Sequence, residues 1–185
     1  IKSYWQLIRK YTNSNIIQMN FSEIDDKAFG QYSAKVETSF IYQIRKLNWL
    51  LQEQMRDTPV IYPVDLLSIQ IQLGNLSFYD AAYYYNAKMS VSPNALPYVT
   101  SAVVDVIKSM MGRLHKCLVL DLDNTLWGGV IGDDGMNNIE IGELGRGQVF
   151  TNFQRWIKQL KECGIILCVC SRNDEKIAKE PFEKH

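Results

Sequence analysis

Two aspartates stand one residue apart directly after an apolar run, in the stretch CLVLDLDNTLW that begins at Cys117. An apolar run bounded in this way predicts a buried strand that ends just before Asp121 and Asp123. In parallel α/β sheets, ligands bind at the carboxyl ends of the strands. The two carboxylates are therefore candidates for a chemical site at the edge of a sheet.

A second apolar run, IILCVC at 165–170, predicts another strand, and Ser171 follows it. An amphipathic helix predicted over 147–163 separates the two runs. A right-handed crossover of this kind brings its two parallel strands side by side or nearly so. We therefore expect Ser171 to lie close to Asp121 and Asp123.

These side chains suit phosphate chemistry. Neighbouring carboxylates repel each other, and a hard divalent cation such as Mg²⁺ removes the repulsion and lets an anionic phosphate approach. Asp121 can then attack phosphorus, and Asp123, two residues on, is placed to protonate the leaving oxygen and later to activate water. Thr125 is placed to hold Asp123 by a hydrogen bond, and Ser171 to hold a phosphoryl oxygen.

A bare D-x-D pair is not specific to phosphate chemistry. It occurs by chance, and it also marks metal sites of sugar-nucleotide transferases. Here the motif continues as D-x-D-x-T and is matched by a second strand that ends in Ser171, which favours phosphate chemistry. A glycosyltransferase would give no role to Ser171 at the end of the second strand, and the chain has no sequence signature of a nucleotide pocket.

The segment DLDNTLW resembles motif one of the haloacid dehalogenase (HAD) superfamily of phosphatases with an aspartate nucleophile. More narrowly, LDLDNTLWGGVIGDDG, FQRWIKQLKECGIILCVCSRND and KEPFEKH are similar to the FkbH-like subgroup over residues 116–185. The resemblance implies a magnesium-dependent phosphatase or phosphotransferase with an aspartyl-phosphate intermediate. Asp121 would be the nucleophile and a magnesium ligand. Asp123 would be the general acid and base and would give its backbone carbonyl to the metal.

The same resemblance places Ser171 in motif two, where it would bind phosphate. Arg172 and Asn173 stand beside it and complete, with Thr125, the predicted phosphate-binding group. FkbH-like proteins can take a phosphorylated three-carbon acid and load its glyceryl unit onto an acyl carrier protein. The partners that the resemblance implies are therefore a phosphorylated small molecule and, for some members of the group, an acyl carrier protein.

The chain departs from the superfamily in one large respect. The superfamily also uses a later lysine and a later acidic motif, and Lys176, Lys179 and Lys184 stand too close to motif two for that role. We expect the chain to be a fragment of a longer protein and to be inactive alone. The alternative is a non-catalytic docking module, similar to SGNH hydrolases, that carries an incomplete HAD-like domain.

Residues 1–112 resemble the later part of an SGNH-hydrolase-like domain, and 113–185 would form the first part of the HAD-like domain. The resemblance is carried by FYDAAYYYNAKMSVSPNALP at 78–97. Active SGNH esterases use an Asp and a His from this region. No histidine precedes His115, so Asp80 has no imidazole to orient and no esterase triad is predicted.

Composition sets the wider limits. Apolar strands that alternate with amphipathic helices predict an α/β fold with parallel sheets flanked by helices in both domains. The formal net charge is zero, so nothing indicates a nucleic-acid or anionic-membrane partner. No apolar run reaches the roughly 20 residues that span a bilayer, and no secretory signal opens the chain. The four cysteines are expected to be buried free thiols, which favours a cytoplasmic location.

Local patterns give the remaining predictions. Helices are expected over 1–11 and after a cap at Thr38 or Ser39, the latter with a buried stripe of Phe40, Ile44, Leu47 and Leu51. Strands are expected at 16–21 and 60–65. The segments 22–37 and 75–96 are expected to be loops.

Overall fold

The computed structural model describes residues 1–24 and 26–184, the last of these without its side chain. The chain divides into two compact units, Ile1–Arg113 and Leu114–His185. Each unit contains one two-stranded parallel sheet with helices packed against it. The predicted α/β class with short parallel sheets flanked by helices is confirmed. None of the helices in the described residues is long and apolar enough to cross a membrane.

The first unit is built on strands β1 and β2, which pair in parallel from Ile16 opposite Ile61 to Met19 opposite Val64. Its elements in chain order are α1 (Lys2–Tyr11), β1 (Ile16–Met19), a 3-10 helix (Gly30–Lys35), α2 (Phe40–Arg56), β2 (Ile61–Val64), α3 (Leu66–Leu73), α4 (Asn75–Phe78), α5 (Ala81–Ala87) and α6 (Leu96–Met110). Two buried clusters form its core. One is Trp5, Leu51, Met55 and Ile61, and the other is Ile69, Phe78, Ala95 and Val99.

Of the two caps predicted for helix α2, the structure has Ser39, whose side chain accepts a hydrogen bond from the Tyr42 N–H. Its predicted buried stripe is wrong at both Phe40 and Leu47, whose side chains are exposed. The buried positions are Ile41, Asn48, Leu51 and Met55. The apolar stripe is rotated because the amide of Asn48 is buried against the main chain that follows β1.

Two segments predicted as loops contain short helices. The segment 22–37 holds the 3-10 helix, and 75–96 holds α4 and α5. Helix α5 forms because the Asp80 carboxylate accepts hydrogen bonds from the N–H groups of Ala82 and Tyr83. Asp80 is thus a helix cap, and Lys88 ends the helix in a left-handed conformation with φ of 57°.

The second unit is built on strands β3 and β4, which pair in parallel from Cys117 opposite Ile166 to Leu120 opposite Val169. Its elements in chain order are β3 (Cys117–Leu120), α7 (Ile131–Asp134), α8 (Gly145–Glu162), β4 (Ile166–Val169) and α9 (Glu175–Lys184). Its core contains Leu120, Leu122, Leu126, Trp127, Ile131, Ile139 and Ile157. Long helix α8 is the crossover that makes β3 and β4 parallel.

One face of this second sheet is exposed. Val119 and Ile166 are each 62% exposed, and Cys117 and Cys168 lie on the same face with their Sγ atoms 3.4 Å apart. The prediction of buried cysteines is therefore wrong, since all four thiols are free and exposed. The opposite face packs on the core. Fully apolar strands predict cover on both faces, but within the described residues only one face of β3 and β4 is covered.

Candidate active site

The candidate site lies where β3 and β4 end. The sheet ladder continues one step past the paired residues, because the Cys170 N–H donates to the Leu120 carbonyl at 2.9 Å. Asp121 and Ser171 therefore leave the sheet at the same edge. Leu122, between the two acids, is fully buried. Because side chains alternate along an extended chain, burial of Leu122 turns Asp121 and Asp123 away from the core.

Asp121 is the more accessible of the two acids. Its side chain is exposed, and its Oδ1 accepts a hydrogen bond from the Leu122 N–H at 2.8 Å. Within the described part of the chain, neither Asp121 nor Asp123 forms an ion pair. The carboxylate of Asp121 therefore keeps acceptor capacity for a cation or a substrate.

Asp123 is held by hydrogen bonds on both of its oxygens. Oδ1 accepts from the Trp127 indole N–H and from the Ile131 backbone N–H, each at 3.1 Å. Oδ2 accepts from the Asn173 side-chain amide at 2.7 Å. The two acids therefore differ: the Asp121 carboxylate can accept further contacts from a ligand, and the orientation of the Asp123 carboxylate is fixed by hydrogen bonds.

The electrostatics of Asp123 follow from these contacts. Partial burial raises the pKa of its carboxyl, but the hydrogen bonds from Ile131, Asn173 and Trp127 together lower that pKa below its ordinary value of 3.8. Donors favour the charged carboxylate because they stabilise its negative charge. In the metal-free chain Asp123 is therefore a carboxylate at neutral pH.

The loop after Asp123 brings two of these donors into place. Asn124 adopts a left-handed conformation with φ of 53°, and its Oδ1 accepts from the Gly129 N–H at 3.0 Å. Gly128 pairs with Glu140 through two backbone hydrogen bonds. A Cβ at Gly128 would lie 2.9 Å from both the Glu140 Cβ and the Phe150 ring, so this close approach requires glycine. The closed loop positions Trp127, which is 1% exposed, under Asp123.

The predicted phosphate-binding residues fall into two groups. Ser171 and Asn173 lie together, since the Ser171 Oγ accepts from the Asn173 N–H at 3.2 Å. Arg172 lies between them with an exposed side chain. The prediction that Thr125 supports Asp123 is wrong. Its predicted hydrogen bond to Asp123 is not formed, because Trp127, Ile131 and Asn173 supply the donors to that carboxylate.

Sequence reasoning missed the donors on Asp123. The sequence pattern indicates only a packing role for Trp127, although its position four residues after Asp123 is a usable signal. Ile131 acts through its backbone N–H, which no side-chain pattern reveals. The lysines Lys176 and Lys179 lie on α9 with exposed side chains, while the Lys184 side chain and His185 lie outside the described residues.

A groove of about 860 Å³ in the same unit is separate from these polar groups. Its walls include Leu120, Trp127, Ile157 and Phe182. Asp121, Asp123, Ser171 and Asn173 do not line it. The chemistry of the site therefore belongs to the sheet edge and not to this apolar groove.

The residues at the sheet edge fit part of a magnesium shell. The exposed Asp121 carboxylate offers the hard oxygen ligand that Mg²⁺ prefers, and no cationic side chain in the described residues competes for it. A set of three or more His, Cys, Asp or Glu side chains grouped for a metal is not found in residues 1–24 and 26–184. Any magnesium ion would take its other ligands from backbone, water or substrate, or from outside this region.

Comparison with known proteins decides the family. The model of the FkbH N-terminal domain matches residues 1–108, which is more than half of the 185-residue chain. The chain belongs to the FkbH family. The resemblance read from its motifs is confirmed to that extent, and the assignments to HAD and SGNH families stay predictions.

A solved structure is similar to this FkbH-family chain over its whole length. It is described as the crystal structure of the N-terminal part of the protein BF1531 from Bacteroides fragilis, containing a phosphatase domain complexed with Mg. The two are 42% identical, with a TM-score of 0.89, and the match covers 100% of this chain and 49% of the other. The chain thus spans about half of that protein's length. No curated protein matches the chain.

Proposed function

We propose that this chain carries the nucleophile and the general acid of a magnesium-dependent phosphatase of the HAD type. The observation that carries the proposal is the difference between the two acids at the sheet edge. Asp121 is exposed with spare acceptor capacity, and Asp123 is fixed by donors on both oxygens. Support comes from the similarity along the whole chain to a protein with a phosphatase domain complexed with Mg.

The proposed reaction has two steps. In the first, the Asp123 carboxylate takes the proton of the phosphate monoester and passes it to the leaving oxygen, while an Asp121 oxygen attacks phosphorus and the bond from phosphorus to the leaving oxygen breaks. In the second, Asp123 takes a proton from water, the water oxygen attacks phosphorus, and the bond to Asp121 breaks. Inorganic phosphate leaves with the proton that Asp123 took from water, and both carboxylates return to their starting state.

The other groups of the site have supporting roles. Ser171, at the same sheet edge, would hold a phosphoryl oxygen by its hydroxyl, with exposed Arg172 beside it. The Asp121 carboxylate and the Asp123 backbone carbonyl would hold Mg²⁺. When bound, the ion neutralises charge on the phosphoryl oxygens and on the nucleophile.

The finer function stays a prediction from the family resemblance. It is removal of phosphate from a phosphorylated three-carbon acid and transfer of the glyceryl unit to an acyl carrier protein. A phosphorylated acid fits the polar sheet edge better than an apolar ester would. The cytoplasmic location also stays a prediction.

The first test is phosphate release from an aryl phosphate by the full-length protein, with Mg²⁺ or with a chelator. We expect turnover that needs Mg²⁺ and falls at least about a thousandfold in Asp121→Asn, because the amide is not nucleophilic. Asp133→Asn, which changes an exposed aspartate on α7, is the matched control and should retain activity. Retained turnover in Asp121→Asn would remove Asp121 as nucleophile. Absence of turnover in the full-length protein would favour the docking module instead.

A further inference from the structure

We propose that Asn173 is a positioning residue for Asp123 and does not bind phosphate. The inference rests on the proposed function, because it concerns the residue that would transfer the proton. The contact that carries it joins the ends of both strands of the second sheet. The Asn173 Nδ2 donates to the Asp123 Oδ2 at 2.7 Å across a sequence separation of 50 residues.

A second polar group of Asn173 is committed to local structure. Its backbone N–H donates to the Ser171 Oγ at 3.2 Å. Its side-chain Oδ1 faces the backbone at Gly132, where an added Cβ would lie 3.4 Å away. One of the two side-chain N–H donors of Asn173 is therefore turned to a carboxylate, and its backbone N–H is turned to Ser171.

The two oxygens of Asp123 are held by different parts of the chain. Trp127 and Ile131 belong to the loop that follows Asp123, and both bind Oδ1. Oδ2 is held by Asn173. The donors on Oδ1 hold one end of the carboxylate, and the donor on Oδ2 adds a second point of attachment that resists its rotation about the Cβ–Cγ bond. Asn173 therefore sets the direction in which Asp123 presents a proton.

This role predicts that loss of the Asn173 amide affects proton transfer and not phosphate binding. Loss of the Asn173 amide should slow the step that needs a directed proton and should leave binding of the phosphoryl group intact. A general acid matters most when the leaving oxygen is strongly basic, as in an alkyl phosphate. It matters least when the leaving group is an aryl oxygen that departs without a proton.

The test uses Asn173→Leu, which removes the donor at similar size, and Asn173→Asp, which replaces the amide by a repelling carboxylate. We expect kcat on an alkyl phosphate to fall by about tenfold to a hundredfold. On a nitrophenyl phosphate the fall should be several times smaller, and the inhibition constant of inorganic phosphate should stay within about twofold. The loss should be larger in Asn173→Asp than in Asn173→Leu. An equal fall for both substrates, or weaker binding of inorganic phosphate in proportion to the loss, would overturn the assignment.

A second measurement does not depend on activity. Thermal unfolding of the chain is compared for Asn173→Leu, Asp123→Ala and the double variant. Because the two side chains share one hydrogen bond, the midpoint shift of the double variant should be smaller than the sum of the single shifts. Asn152→Leu, an exposed asparagine on α8, should add to Asp123→Ala without coupling. Additive shifts for Asn173 would overturn the proposal even in a protein with no phosphatase activity, while missing wild-type turnover alone would count against the proposed function.

Discussion

The two sheets of this protein end in polar residues in the same way but use them differently. Asn20 and Asp65 follow β1 and β2, and the Asn20 Nδ2 donates to the Asp65 Oδ1 at 2.6 Å. The same carboxylate oxygen also accepts from the Ser68 N–H. Asp121 at the second sheet is exposed as Asp65 is, but its one hydrogen bond comes from the adjacent Leu122 N–H and ties it to no other element. The difference is that Asp65 joins the two strand ends and caps α3, whereas Asp121 is committed to no structural role.

The first sheet end is also a structural clamp. The amide of Asn48 accepts from the Phe21 N–H at 2.8 Å and donates to the Phe21 carbonyl at 2.7 Å. Gln70 makes the same pair of contacts with Glu23, at 2.8 and 2.6 Å. These amides satisfy the main chain after β1 as a neighbouring strand would. The contrast predicts that substitutions at the first sheet end change stability, whereas those at the second change activity.

The largest stability effect is expected for Asn48→Leu. This change leaves the N–H and the carbonyl of Phe21 without a partner in a partly buried setting, at a cost of about 2–4 kcal/mol in the free energy of unfolding. Urea unfolding measures the loss, and hydrogen exchange should show reduced protection at the Phe21 amide. Asn13→Leu, at an exposed asparagine, should change the free energy by less than about 0.5 kcal/mol. An unchanged Phe21 amide would contradict the clamp.

A smaller loss is expected for Asp65→Ala. Removal of the α3 cap and of the partner of Asn20 should cost about 1–2 kcal/mol in the free energy of unfolding. Phosphatase turnover of the full-length protein should stay at the wild-type level. The matched control is Asp105→Ala, at an exposed aspartate on α6. A large fall in turnover at unchanged stability would place the first sheet end in the active site and end the contrast.

The smallest effect is a dependence of stability on pH at Asp123. Because its folded-state pKa lies below the ordinary 3.8, the hydrogen bonds to its carboxylate stabilise the fold fully above that value. This stability is lost as the pH falls through the lower folded-state pKa. In metal-free buffer, wild type should therefore lose more stability on acidification than Asp123→Asn. Parallel curves for the two proteins would show that the three donors contribute little.

Much of the backbone follows from local patterns, and most of the site's contacts do not. All four strands are predicted and the α2 cap is narrowed to Thr38 or Ser39, because apolar runs and caps are local signals. The burial of Asn48 is missed, because a hydrophobic pattern counts an amide as a surface group. Helices α4 and α5 are missed because aromatic and small residues there show no clear period.

In the site, the spacing of Asp121, Asp123 and Ser171 is enough to place them at one sheet edge. The hydrogen bond from Asn173 to Asp123 cannot be predicted from the sequence. It depends on the directions of two side chains that are 50 residues apart in the chain. For the same reason the sequence favours Thr125 over Trp127 as the support of Asp123. The hydroxyl of Thr125 is a more obvious donor than the indole N–H of Trp127, which lies four residues after Asp123.

The fully enclosed Leu122 has a consequence for how this motif can change during evolution. Successive side chains of an extended chain point to opposite faces. Inserting or deleting one residue just before Asp121 would therefore point both carboxylates into the core and move Leu122 to the surface. Insertions in the surrounding loops do not change this alternation of side chains. Transplanting the acid pair onto another scaffold would accordingly require copying the apolar residue between them together with the hollow that receives it.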